Sequence, residues 1–259
     1  MARPHSLPTS DPRRARHPWV AFLAARFSPQ GAFGLQLTLG VALILLVGWA
    51  FGELAEDVVR GAAITRLDVD LAQWFHVHGT PGFTRAMLIV THWNGLTGAG
   101  IMGALLALWF WRRGLFDWLL LALVAMIGGA MLNVALKHVF HRARPHFDDP
   151  LLTLDTFSFP SGHTAAATVL YGLLAYWLAS RARAWPARAL IVVAAAGMVC
   201  LVALSRMYLG AHYLSDVLAA TLESGAWLAV CITATSTYAR MRRLRGDRLA
   251  PGAGIGEGA

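Results

Sequence analysis

Six apolar runs, at about 33–52, 95–111, 116–136, 162–180, 188–205 and 214–237, are separated along the chain by short polar segments. Runs of about 17–25 residues are long enough to cross a bilayer as helices. The pattern therefore predicts an all-α, integral membrane bundle of six transmembrane helices. Between the first two runs, residues 53–94 are more polar and include Glu53, Glu56, Asp57, Asp68 and Asp70. Within them, Leu67 to His78 has apolar residues at mixed spacing, and Thr80-Pro81-Gly82 breaks it. Phe83 to Trp93 then has the character of a short helix running into the second crossing. Two helices lying on the outer membrane surface fit this stretch, and so does a polar loop covering the bundle.

The polar flanks divide the chain into a basic cytoplasmic tail at 1–32, a membrane domain at 33–237 and a second cytoplasmic tail at 238–259. The first apolar run begins only near Phe33. It is too long for the h-region of a cleaved signal peptide, which spans roughly 7–15 residues.

Composition agrees with the pattern. The 259 residues are 57% hydrophobic and only 14% charged, against about a quarter charged in soluble domains. The net charge of +8 would fit a nucleic-acid partner until the charges are located. With a cytoplasmic N-terminus, the cytoplasmic segments hold 15 of the 22 Lys and Arg residues. The positive-inside rule then puts both termini in the cytoplasm of a cell-membrane protein and argues against nucleic acid. Cys200 and Cys231 both lie inside apolar runs without CxxC spacing, and so are expected to be small buried hydrophobes. Nothing in the chain points to an obligate protein partner.

Three polar clusters stand at the edges of these runs, all on the predicted outer face. The first holds Lys137 and Arg144-Pro145, the second is Pro160-Ser161-Gly162-His163, and the third is Ser205-Arg206 with His212 and Asp216. Cations at a membrane edge are costly unless paired or solvated, so convergence of Lys137, Arg144 and Arg206 on an anion is the natural reading. Guanidinium forks suit phosphate oxygens, and an ammonium adds a point charge. Ser161 is placed to cap the fourth crossing, whose first N–H groups favour an anion, and Gly162 allows that anion to come close. His163 follows in the first turn. His212 and Asp216 are four apart, so on a helix the carboxylate would hold one ring nitrogen and leave the other as nucleophile or base. His141 and Arg142 are expected to stand near the site, and Asp148, Asp149 and Asp155 to be solvated. Glu223, inside the sixth run, is either functional or a structural hydrogen-bond partner.

Lys137-x6-Arg144-Pro145, Pro160-Ser161-Gly162-His163 and Ser205-Arg206-x5-His212-x3-Asp216 together resemble the three-part signature of the type 2 phosphatidic acid phosphatase superfamily. The resemblance implies an enzyme that removes phosphate from a membrane lipid through a phosphohistidine. In it His212 attacks phosphorus, Asp216 orients the ring and His163 protonates the leaving oxygen. Lys137, Arg144, Arg206, Ser161 and Gly162 hold the phosphoryl oxygens, and neither a metal ion nor another cofactor takes part. Bacterial members of this size resemble undecaprenyl diphosphate and phosphatidylglycerophosphate phosphatases, and some also take phosphatidic acid. An outward-facing site favours undecaprenyl diphosphate. Two other readings use the same residues: a vanadate-dependent haloperoxidase, which six crossings disfavour, and a lipid-binding or transport protein, which needs no nucleophile.

Overall fold

The computed structural model describes residues 32–152 and 154–249, so the predicted tail at 1–32 lies almost wholly outside the described residues, as do the last ten residues of the second tail. Among the described residues the fold is all-helical. Its helices are α1 (Ala32–Arg60), α2 (Ala63–Val77), α3 (Pro81–Trp93), α4 (Leu96–Arg112), α5 (Phe116–Phe140), α6 (Gly162–Arg181), α7 (Trp185–Tyr208) and α8 (Leu214–Leu249). Each of the six apolar runs falls within one of these helices, apart from Gly95 at the start of the second, which lies in the bend before α4. The sixth run was expected to end near 237, but α8 continues to Leu249, because the Arg-rich segment after Tyr238 contains good helix formers.

Among the described residues, three helices are long and apolar enough to cross a membrane: α5, α7 and α8 as far as Ala239. The pair α3–α4, bent by 45° at Asn94-Gly95, makes a fourth if it is one broken span. The polar stretch at 53–94 is helical, which sets aside the loop alternative. Pro81 stands in the first turn of α3, where its missing N–H costs nothing.

α6 is the central helix. It packs against α4, α5, α7 and α8, and α1 runs along the far side of α8. Thr164, Ala165, Ala167, Thr168 and Val169 are all buried on it, since small side chains let neighbouring backbones approach closely. α7 is the opposite case, with little of its apolar stretch buried within the protein. Leu190, Val193 and, on α1, Leu45 and Trp49 point outward, as expected where lipid is the solvent.

Apolar and polar packing are separated along the bundle. At one end Phe110, Leu121, Ala125, Leu173, Leu228 and Cys231 form the main hydrophobic cluster, bordered by Trp109, Trp118 and Trp177. At the other end the buried residues are Asp68, Ser158, Ser161, Arg206, His212 and Asp216. The C-terminal ends of α5 and α7 and the N-terminal ends of α6 and α8 all arrive there.

Candidate active site

The last turn of α5 supplies Lys137, and the chain leaves that helix through His141, which adopts a left-handed conformation with φ of 47°. The following loop carries Arg142 and Arg144 back across the end of the bundle. α6 begins at Gly162, with Ser161 in the position before it. α7 ends in Arg206 and stops at Gly210, whose φ of +66° suits a residue without a side chain. His212 lies in the turn that follows, and Asp216 in the first turn of α8.

The His212–Asp216 pair is therefore not a pair on one helix face, because α8 starts only at Leu214. The turn after Gly210 swings the imidazole over the helix start instead. Asp216 accepts from the Tyr213 backbone N–H at 2.8 Å, capping α8 from within its first turn. The same Oδ2 accepts from the Ser158 hydroxyl and lies 3.5 Å from His212 Nδ1. On the other side of the ring, Arg144 Nη1 stands 3.2 Å from His212 Nε2. A guanidinium can only donate, so Nε2 carries the lone pair and the ring proton sits on Nδ1, facing Asp216. Burial, aided by Arg144 and Arg206, holds the imidazole at about 4 against the pull of Asp216, well below its ordinary range. At neutral pH His212 is thus an uncharged ring with its free nitrogen turned toward the cations.

Arg144 is fixed by Thr156 and Ala211: its Nε donates to the Thr156 carbonyl and its Nη1 to the Ala211 carbonyl, both at 2.6 Å. Lys137 Nζ donates to the Phe157 carbonyl at 2.7 Å. Arg206, only 2% exposed, donates through Nη1 to Thr91 Oγ1, while its Nε has no hydrogen-bond partner. Such an arrangement is unfavourable without an anion, since three cations share one buried region with few carboxylates. His163 sits on the groove side of this cluster, against the bend between α3 and α4. A side-chain carbon at Gly95 would stand 3.3 Å from its Nε2, so Gly95 leaves room for the ring.

An apolar cavity of about 670 Å³ opens onto the same wall. It runs between α4, α5 and α6, past Gly103, Met126, Ala130 and Ala166, and reaches Lys137 and His163 at its polar end. A phosphate held by the cations can thus extend an apolar tail between helices.

The model of the PAP2 superfamily matches residues 118–240 of this chain. Phosphatidylglycerophosphatase B of Bacillus subtilis (strain 168) is 36% identical over 146 residues, covering 51% of this chain and 71% of that relative. The chain belongs to the PAP2 superfamily. The crystal structure of a transmembrane PAP2-type phosphatidylglycerolphosphate phosphatase from Bacillus subtilis matches with a TM-score of 0.62 and 27% identity. That match covers 75% of this chain and 96% of the other. As a PAP2 member this is a multi-pass membrane phosphatase.

The PAP2 fold gathers all eight sequence-predicted residues at one end of the bundle: Lys137, Arg144, Ser161, Gly162, His163, Arg206, His212 and Asp216. Besides the His212–Asp216 spacing, two expectations need correction. Ser161 occupies the capping position of α6 but makes no side-chain cap; its Oγ accepts instead from Thr164 Oγ1 at 3.1 Å. Cys200 is exposed on α7, not buried, because that helix presents most of its surface outward; Cys231 is buried as expected.

One part of this PAP2 site reaches further than the residue pattern implies. Arg142, expected only near it, bridges two carboxylates, donating to Asp216 Oδ1 at 2.6 Å and to Asp68 Oδ2 at 2.7 Å. Its guanidinium lies 4.4 Å above the Tyr213 ring. Burial lowers its pKa, but Asp216 and Asp68 outweigh burial and raise it. Asp68 is fully buried and also accepts from the Ser215 backbone N–H at 2.9 Å. A relay Asp68–Arg142–Asp216–His212 thus joins α2 to the imidazole. Asp68 and Ser158 were missed. The available signal for Asp68 was its place among the apolar residues Leu67, Val69 and Leu71, in a helix that packs on α8.

Proposed function

We propose that this PAP2 protein hydrolyses a lipid phosphate at the outer face of the cell membrane, through a phosphohistidine on His212. The observation that carries this reading is the His212 Nε2 lone pair beside Arg144, at the bundle end where Lys137 and His163 line the polar end of an apolar cavity. The Nε2 lone pair forms the P–N bond as the bond from phosphorus to the leaving oxygen breaks. His163 gives its proton to that oxygen, then takes one from water as the water oxygen attacks phosphorus and the P–N bond opens. Lys137, Arg144, Arg206, Ser161 and the Gly162 backbone bind the three equatorial oxygens, whose charge they balance. The reading includes six crossings, by α1 and α4–α8, with α2 and α3 at the outer surface. Both termini are then cytoplasmic, as the distribution of Arg and Lys supports.

The Bacillus subtilis matches, in sequence and in structure, put phosphatidylglycerophosphate first among candidate substrates. The outward orientation keeps undecaprenyl diphosphate beside it, and phosphatidic acid completes the series. The test is phosphate release from these three lipids by detergent-purified protein, wild type beside His212→Ala, in EDTA. EDTA-resistant release that the variant lacks supports the reading, and the best substrate names the lipid. Release that persists undiminished in His212→Ala would overturn it.

A further inference from the structure

The polar lining of the groove is gathered toward one end, where Asn133 on α5 joins Lys137, Thr156 and His163. Asn133 stands one turn before Lys137 and lines the cavity with it. Its Nδ2 donates to Glu223 Oε1 at 2.6 Å. Glu223 is itself 5% exposed, and its Oε2 has no partner. Glu223 Oε1 accepts from the amide nitrogen, so the contact sets which end of the amide faces it. Asn133 is left presenting Oδ1 toward the start of α6, where a side-chain carbon at Gly162 would lie 3.3 Å from it. The same point lies 3.9 Å from Lys137 Cε. Gly162, the Lys137 stem and the Asn133 carbonyl therefore border the same part of the cavity, a slot with a carbonyl acceptor in its wall. Among the described residues, Asn133 Oδ1 accepts no hydrogen bond.

A buried amide braced by a buried carboxylate is expensive where hydrocarbon would serve for tail binding. Resting on the lipid phosphatase reading above, we infer that Asn133 is a specificity-determining residue that accepts a hydrogen bond from a hydroxyl on the leaving group. The favoured substrate class is a lipid phosphate with a hydroxyl on the carbon next to the phosphate-bearing one, as in a glycerol phosphate head group. Polyprenyl phosphates have no such donor. Glu223 is the positioning residue that keeps Nδ2 occupied and Oδ1 turned to the slot.

The experiment compares two synthetic lipids with identical tails. One ends in glycerol 3-phosphate and the other in the matching propanediol phosphate without the central hydroxyl. Wild-type protein is expected to show kcat/KM about tenfold lower on the deoxy lipid, the effect of one unmet buried acceptor. Asn133→Leu should bring that ratio near one by losing activity on the glycerol lipid alone. The ratio is a property of the active fraction, so loss of folded protein does not move it. Equal kcat/KM for both lipids in the wild type overturns the assignment while leaving His212-dependent hydrolysis standing. A tenfold ratio that survives in Asn133→Leu also overturns it. Failure to release phosphate from either lipid overturns this assignment, and the phosphatase reading falls with it only if undecaprenyl diphosphate and phosphatidic acid also release none.

Discussion

The two histidines of the site are built in opposite ways. His212 is 2% exposed and held from three sides, by Asp216, Ser158 and Arg144. His163 is half-buried at the groove end and makes no hydrogen bond among the described residues. One ring is pinned by a network that reaches back to α2; the other is placed only by the space that Gly95 and the helix bend leave for it. The contrast suits the two roles proposed. A nucleophile gains from a fixed tautomer and a fixed line of attack. An acid–base group has to meet a leaving oxygen and then a water, so its partner belongs to the substrate.

Breaking the pinned side should have the largest effect. His212→Ala removes the only attacking atom in the mechanism, and phosphate release is expected to fall by about a thousandfold or more. Loosening the same ring from a distance is the next test. Asp68→Asn takes away one of the two carboxylates that Arg142 bridges, so kcat is expected to drop by about tenfold to a hundredfold with little change in KM. A drop confined to KM would mean that Asp68 serves the groove and not the imidazole.

The loosely held side calls for a different measurement. Gly95→Ala crowds His163 and should lower alkyl phosphate cleavage by about tenfold, the lower part of what a general acid contributes. A substrate with an aryl leaving group needs no proton, so 4-nitrophenyl phosphate cleavage should change by less than twofold. Equal losses on both would show that the bend shapes the site as a whole. The smallest effects concern pH. Because His212 is held at about 4, lowering the pH from 7 to 5 leaves its nucleophilic nitrogen free, and the acid limb it controls should lie near pH 4. The unfolded chain takes up that proton near 6.5, so acidification between these two values also favours unfolding. An acid limb at 6.5 that moves with His212 substitutions would mean a solvated, unpinned ring.

How much of this could be read from residues alone differs between the two histidines too. Lys137, Arg144, Ser161-Gly162-His163, Arg206, His212 and Asp216 lie within 80 residues in three short clusters, and helix ends at one membrane edge were enough to bring them together. Asp68 lies 74 positions before Arg142 and shares no local pattern with it. Its role depends on α2 folding back onto the start of α8, a tertiary choice that periodicity does not encode. Gly95 had the same difficulty, since its meaning lies in what a side chain there would strike. The His212–Asp216 spacing suggested a helix face but came from a turn, as Gly210 stops α7 and delays α8 until Leu214. Of the six apolar runs, α5, α7 and α8 stand out by length and hydropathy, and α4 does so with α3 as one broken span. α6 is less apolar because it is sheltered by its neighbours.

Arg144 Nη1 stands 3.2 Å from His212 Nε2, while its guanidinium is anchored on the Thr156 and Ala211 carbonyls. Under the mechanism proposed, one guanidinium therefore both borders the attacking nitrogen and binds the oxygens of the phosphorus it attacks. Recognition of charge and nucleophilic attack share a single anchor, so cargo that carries a phosphate is brought to the ring by the group that recognises it.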